Sequence, residues 1–286
     1  MSVAAETSVE TWSGKDRGDE NFPVGSGLIS ARLRTHVHAF YAFARNADDI
    51  ADSPRLAAAD KVARLDVMED VLLGRRPAGS PSAARLRTSL AETGVTAQHS
   101  LDLLVAFRRD ARKLRYADWP ELQDYCRYSA MPVGRYVLDV HGESRDLWPA
   151  NDALCAALQV INHLQDCAKD YRDLDRVYLP QAALAEAGIG VDALAAPIAA
   201  PALRSVIAGL AVRNGQLLAG SSGFSKAICD SRLALEVDLI QTLAENLNRL
   251  LARRDPLSQK VHHSKVDIAG LFLARLPTFL FRRALS

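Results

Sequence analysis

Two pairs of aspartates carry the most specific chemistry in this chain. Asp48 and Asp52 stand four residues apart in Asp48-Asp49-Ile50-Ala51-Asp52, and Asp166 and Asp170 repeat that spacing in Asp166-Cys167-Ala168-Lys169-Asp170. In helical sequence such a pair shares one face, with Cβ atoms roughly 5–6 Å apart, and two like charges so placed cost stability unless cations neutralise them. Two helices presenting these pairs to each other would form a set of hard oxygen ligands. Mg²⁺ takes such ligands together with substrate phosphates. The pattern points to metal-assisted work on a diphosphate. A lone D-x-x-x-D motif also suits a solvated, salt-bridged helix face, so the neighbouring residues matter. Tyr41, Arg45, Asp48 and Asp52 follow a 4-3-4 spacing and line one stripe. Arg45, within a turn of the acids, can hold them in place or grip a phosphate oxygen. Gln159, Asn162, Asp166 and Asp170 form a second stripe at 3-4-4 spacing in otherwise apolar sequence. A polar stripe is costly if buried unpaired, and it is explained if it lines a cavity holding metal, water and ligand. Arg176 and Tyr178 follow closely enough to close over a diphosphate, with a salt-bridged loop as the alternative reading.

These motifs need helices to position them. The stretch from Ser30 to Asp52 has no Pro or Gly and carries apolar residues at helical spacing, and Ser53-Pro54 stops it. Helices are expected near 57–73, 82–92, 97–114 and 119–130, with Gly74, Pro77–Pro81, Gly94 and Trp119-Pro120 as punctuation. Pro132-Val133-Gly134 is expected to break the chain before a helix at 135–141. One helix over 150–172 should carry the second motif, and helices near 181–187, 191–195, 198–219, 225–252 and 265–284 complete the chain. Residues 1–19 read as a flexible N-terminal arm. Residues 20–286 read as one all-α domain, a helical bundle around a central apolar cavity.

Composition agrees. Of 286 residues 49% are hydrophobic, ample for a sizeable core, while aromatics make up 6%. Ala and Leu dominate, and both favour helix. A net charge of +1 gives no electrostatic case for a nucleic-acid partner. The four cysteines have no C-x-x-C spacing, which suits reduced thiols in a cytoplasmic protein. The N-terminus lacks the apolar core of a secretory signal, and no apolar run approaches the roughly 20 residues needed to span a bilayer.

Three segments together resemble the squalene/phytoene synthase family of the trans-isoprenoid diphosphate group. They are Tyr41-x-x-x-Arg45-x-x-Asp48-Asp49-x-x-Asp52, the run Tyr125-Cys126-Arg127-Tyr128-Ser129-Ala130-Met131-Pro132-Val133-Gly134-Arg135, and Gln159-x-x-Asn162-x-x-x-Asp166-x-x-x-Asp170 with Arg176-Val177-Tyr178-Leu179-Pro180. The likeness covers about residues 20–275. Within the family the chain is most similar to the bacterial hydroxysqualene synthases of hopanoid pathways, on Glu20-Asn21-Phe22-Pro23-Val24, Asn162-His163-Leu164-Gln165-Asp166, Arg254–Ser258 and Val261-His262-His263. Two positions depart from that subgroup. Met131 stands where Asn is usual, and the loop Arg172–Arg176 lacks the usual Gly before its last Arg.

The resemblance implies an isoprenoid-synthase-type bundle. Asp48, Asp52, Asp166 and Asp170 would bind several Mg²⁺ ions, with Asp49 and Asn162 also on the metal side. Asn21, Phe22, Tyr41, Arg45, Gln159, Arg176 and Tyr178 would contact the substrate. The implied reaction is ionisation of presqualene diphosphate, rearrangement of the cation and capture by water, giving hydroxysqualene and diphosphate; NADPH is not expected. Tyr125, Asn162 and Gln159 are candidates to position the water. Phe22, Tyr41 and Tyr125 are candidates to steady the cation, whereas Phe43 reads as core. Two rival readings are a synthase joining two allylic diphosphates into presqualene diphosphate, dehydrosqualene or phytoene, and a non-enzymatic assembly relative. A di-iron carboxylate bundle would need Glu-x-x-His pairs, and none of the seven histidines has Glu three residues before it. His163 lies one position off the metal stripe and reads as a packed or supporting group more readily than a base. His262-His263 reads as a surface or interhelix contact. The apolar stretch Ile268–Leu280 before Arg282-Arg283 suits either a core helix or an amphipathic helix lying on the inner face of the cytoplasmic membrane. Association with other enzymes of the squalene pathway is a further expectation of the resemblance.

Overall fold

The computed structural model describes residues 8–10 and 29–284. Asn21, Phe22 and most of the expected N-terminal arm lie outside the described residues. Residues 8–10 rest on the turn before the third helix. Val9 donates its N–H to the Gly79 carbonyl, and the Glu10 carboxylate accepts from Ser80 Oγ, Ser82 N and Ser82 Oγ.

The described chain is helical almost throughout. The α-helices are α1 (Ala31–Asp52), α2 (Ala58–Leu72), α3 (Pro81–Thr93), α4 (Gln98–Asp110), α5 (Trp119–Ser129), α6 (Met131–His141), α7 (Trp148–Gln165) and α8 (Cys167–Leu174). They continue as α9 (Gln181–Glu186), α10 (Pro201–Gly220), α11 (Phe224–Ala227), α12 (Ser231–Leu251) and α13 (Lys265–Ala284). Among the described residues there is no strand; one isolated parallel bridge pairs Arg115 with Val177. The expected all-α class holds.

Local chemistry sets the helix ends. Asp118 caps α5 by accepting from Glu121 N at 2.9 Å, and Glu121 reaches back to the Ala117 N–H. Asp230 caps α12 by accepting from the N–H groups of Arg232 and Leu233. Four boundaries differ from expectation, the first being that α4 ends at Asp110 and not near residue 114. Pro132 does not break a helix but sits in the first turn of α6, where its missing N–H costs nothing. The expected helix over 150–172 is interrupted at Asp166, although Asp166 N still bonds the Asn162 carbonyl and Asp170 N the Asp166 carbonyl. The expected helix over 225–252 is split, because Asp230 takes an extended cap conformation between α11 and α12.

Two clusters of buried side chains flank the centre. One joins α1 to α2, α3 and α4 through Phe43, Ile50, Leu65, Met68, Leu86 and Leu104. Phe43 is fully buried there, as core rather than cavity wall. The other joins α5, α7, α10 and α12 through Tyr125, Ile161, Leu164, Ile207 and Leu247. A cavity of about 460 Å³ lies where the two meet, lined from α1, α4, α5, α6, α7, α8 and α12. Among the described residues, no helix is long and apolar enough to cross a membrane. The last helix, α13, is held to α12 by Arg275, whose guanidinium donates to both oxygens of Asp238. His263 bonds Asn246 of α12 at 2.9 Å, the interhelix contact expected of that histidine pair.

Helices α6 and α7 touch most closely at Gly134. A Cβ built there would lie 2.0 Å from Asn151 Oδ1 and 2.7 Å from Cys155 Sγ. Overpacking a tight interface costs typically about 1–3 kcal/mol. Gly134→Ala is therefore expected to lower the melting temperature, and adding Asn151→Ala should recover part of the loss, as read by thermal denaturation of the two variants.

Candidate active site

The first motif faces the cavity from α1. Tyr41, Arg45, Asp48 and Asp52 all line it, as their spacing predicts. Arg45 forks between two carboxylates, 3.1 Å from Asp48 Oδ2 and 2.6 Å from Asp49 Oδ1. Asp49 is buried behind the stripe and takes no part in the cavity wall. Enclosure in the cavity pushes the Asp48 carboxyl well above the usual range; the nearby Asp52 carboxylate adds to this and Arg45 opposes it.

The second motif arrives from α7 and α8. Gln159 and Asp170 line the same cavity; Asn162 and Asp166 are half-buried beside it and not among its lining residues. Burial raises the Asp170 carboxyl to about 7, and the Asp166 and Asp52 carboxylates push the same way. That influence of Asp52 on Asp170 means the two motifs face one another across a shared space.

Arg176 lies between them. It is 4% exposed, and its guanidinium donates to Asp52 Oδ1 at 2.8 Å, to the Asp110 carbonyl at 3.0 Å and to Tyr178 Oη at 3.3 Å. The residue before it, Asp175, has φ of 49°, in the left-handed region where glycine is most at ease. This is the position at which the sequence departs from its apparent relatives. Asp tolerates that conformation better than most residues, and Arg115 holds it, donating to both the carbonyl and the carboxylate of Asp175.

Asp110 is the residue the sequence did not reveal. It lies at the C-terminal end of α4 within Arg108-Arg109-Asp110-Ala111-Arg112, which reads as a solvated charged run. In the fold it is buried and accepts from Tyr125 Oη at 2.7 Å and Tyr178 Oη at 3.0 Å. Burial raises its carboxyl to about 6 despite the opposing pull of Arg176. Lys61 was also missed; burial and then Arg176 depress its ammonium pKa, while Asp52 and Asp110 work the other way. No spacing rule in the sequence connects Lys61 or Asp110 to the motifs.

The donor set suits a hard cation, since it consists of carboxylates whose ionised forms disfavour one another. Among the described residues no three carboxylate, imidazole or thiol groups converge closely enough to hold a metal by themselves. Phosphate oxygens would have to complete the coordination, as Mg²⁺ commonly requires. Beyond the acids the cavity is mostly apolar, with Phe40, Val137, Leu154, Leu158, Leu233 and Ile240 on its walls.

Comparisons with known proteins identify the family and the fold. A family model described as squalene/phytoene synthase matches residues 15–267. A hydroxysqualene synthase from Rhodopseudomonas palustris is 50% identical over 275 residues, covering 96% of this chain and 94% of the relative. One from Zymomonas mobilis is 51% identical over 261 residues, covering 91% and 88%. The crystal structure of squalene synthase HpnC from Alicyclobacillus acidocaldarius is 30% identical, covers 92% of this chain and 91% of its own, and superposes with a TM-score of 0.69.

Two outcomes follow from the geometry. Asp175→Gly should keep turnover and hold stability within about 1 kcal/mol of the parent, since glycine meets no strain there. Asp175→Val should lower both, as read by denaturation and product formation. Asp170 binds its proton more tightly when folded than when unfolded. Its contribution to stability is therefore present below about 3.8 and is lost as pH rises through about 7. Asp170→Asn should accordingly melt higher than the parent at pH 8, by roughly 1–2 kcal/mol after allowance for partial exposure. The gap should close at pH 4, when both are followed by circular dichroism.

Proposed function

This chain belongs to the squalene/phytoene synthase family, and we propose that within it the protein is a hydroxysqualene synthase. It takes presqualene diphosphate, releases diphosphate and captures the rearranged C30 cation with water, a carbon–oxygen lyase type of reaction. The observation that carries this reading is the roughly 50% identity to hydroxysqualene synthases along nearly the whole chain. The meeting of both aspartate motifs at one end of a largely apolar cavity supports it.

The diphosphate belongs at the polar end. Arg45 and Arg176 border that end with fixed guanidinium donors suited to phosphate oxygens. Mg²⁺, held by Asp48, Asp52, Asp166 and Asp170, would neutralise the charge that develops on the leaving group. The hydrocarbon chains belong along the apolar walls, whose aliphatic side chains do not react with a carbocation. Tyr125 and Tyr178 stand where the two regions meet. Both hydroxyls are committed to Asp110, so their rings are fixed in place and their oxygens are turned toward that carboxyl. Aromatic faces near a cation contribute on the order of 0.5–2 kcal/mol.

The membrane expectation concerns α13. Val266, Leu273 and Phe281 are largely exposed and stand at i, i+7 and i+15, on the side opposite Arg275 and its bond to Asp238. An exposed apolar stripe followed in sequence by Arg282-Arg283 suits peripheral contact with anionic lipid. A C30 substrate would reach the protein from such a surface.

Incubation with presqualene diphosphate and Mg²⁺ in ¹⁸O-labelled water should yield a labelled C30 alcohol. Farnesyl diphosphate alone should remain unconsumed; its conversion to a C30 product would instead favour the head-to-head prenyltransferase reading. Asp48→Ala and Asp166→Ala should each lower turnover by about 10³-fold or more, given the electrostatic role assigned to them. Sedimentation with anionic vesicles should retain the parent protein and release a Leu273→Glu/Phe281→Glu variant.

A further inference from the structure

His163 projects from α7 onto the cavity wall, one turn beyond Gln159, which lines the same cavity. It is 6% exposed, and its Nε2 is buried without a hydrogen-bond partner. Leaving a buried polar atom unpaired costs about 1–3 kcal/mol, so such an atom in a native site calls for a reason. The ring is not loosely held. It stacks on Tyr178 with centroids 3.5 Å apart and planes 16° apart, and it lies 5.9 Å from the Tyr125 ring. Several polar groups at this end are engaged: Tyr125 and Tyr178 donate to Asp110, Arg176 to Asp52, and Arg45 to Asp48 and Asp49, while Arg176 Nε, like His163 Nε2, makes no hydrogen bond.

Taking the hydroxysqualene synthase reading as its basis, we infer that His163, with Gln159 one turn earlier, seats the water molecule that captures the carbocation. A trapped water needs two to four polar partners, and an amide and an imidazole one turn apart supply both acceptors and donors. With one ring nitrogen unprotonated, the imidazole keeps a lone pair for the water and adds no positive charge beside the cation. In the capture step the water oxygen gives a lone pair to the cationic carbon and a C–O bond forms. One O–H bond breaks, and its proton passes along the hydrogen bond through the imidazole to the diphosphate left by ionisation. No oxidant or reductant is needed. Without a seated water the cation loses a proton from carbon instead and ends as an alkene.

The test separates ionisation from capture. His163→Phe keeps an aromatic ring on Tyr178, and His163→Leu removes it; both delete the nitrogens. With presqualene diphosphate and Mg²⁺ in ¹⁸O-labelled water, either variant should release diphosphate within about threefold of the parent rate. The ratio of labelled alcohol to hydrocarbon should fall by about tenfold or more. His163→Gln, which restores an acceptor, should recover much of the alcohol. An unchanged product ratio in the apolar variants, or equal loss of diphosphate release and alcohol, would overturn the assignment and leave His163 as packing. Absence of alcohol from the parent protein would instead defeat the functional reading on which the inference rests.

Discussion

Everything in this molecule bends around one electrostatic difficulty, the placing of several carboxylates against a single enclosed space. Asp48, Asp52, Asp110 and Asp170 all reach the cavity wall, where screening by water is weak. Burial raises Asp48, Asp170 and Asp110, and the Asp52 carboxylate pushes all three the same way. Arg45 and Arg176 offset only part of this. An arrangement that disfavours its own ionised state persists only if the surrounding scaffold is rigid enough to impose it. Two well-filled cores on either side of the cavity meet that condition.

The same cavity changes character along its length. At the acidic end Asp110, Arg176 and the tyrosines tie many of the polar atoms to one another, so much of the wall there is held in place. Toward α12 the lining is mostly aliphatic, through Leu233, Val237 and Ile240, with the buried Glu236 as its polar exception. A diphosphate needs the first environment and a long hydrocarbon the second. Asp166, where α7 gives way to α8, is the point at which the backbone bends and yet keeps its hydrogen-bond ladder, carrying the second motif from one helix into the next.

How far this was legible from the sequence depends on the kind of signal. Periodic signals held, because helical spacing is a local property: Tyr41, Arg45, Asp48 and Asp52 share a face, and Phe43 goes into the core. Pro132 was misread, since a proline in a helix's first turn and one that ends a helix look alike without knowledge of the previous turn. Asp166 was misread because its neighbours are good helix formers and the interruption leaves no compositional mark. Asp110 was hidden for a different reason. A carboxylate among four nearby basic residues resembles a surface run, and only the tertiary approach of Tyr125 and Tyr178 reveals that it is buried. The unusual residue before Arg176 was visible in the sequence, but its meaning was not. The backbone there still turns left-handed, with Arg115 supplying the restraint that glycine would not need.

The contact at Gly134 also says something about how this cavity can evolve. Where α6 meets α7 the side chains of Asn151 and Cys155 already fill the space over Gly134, so that wall cannot gain even a methyl group without shifting. The opposite wall, built from Leu233, Val237 and Ile240 on α12, has ordinary side chains that can shrink or grow one carbon at a time. Drift in substrate length or product shape should therefore be recorded on α12, while the α6–α7 seam acts as the fixed jaw of a vice whose other jaw is adjustable.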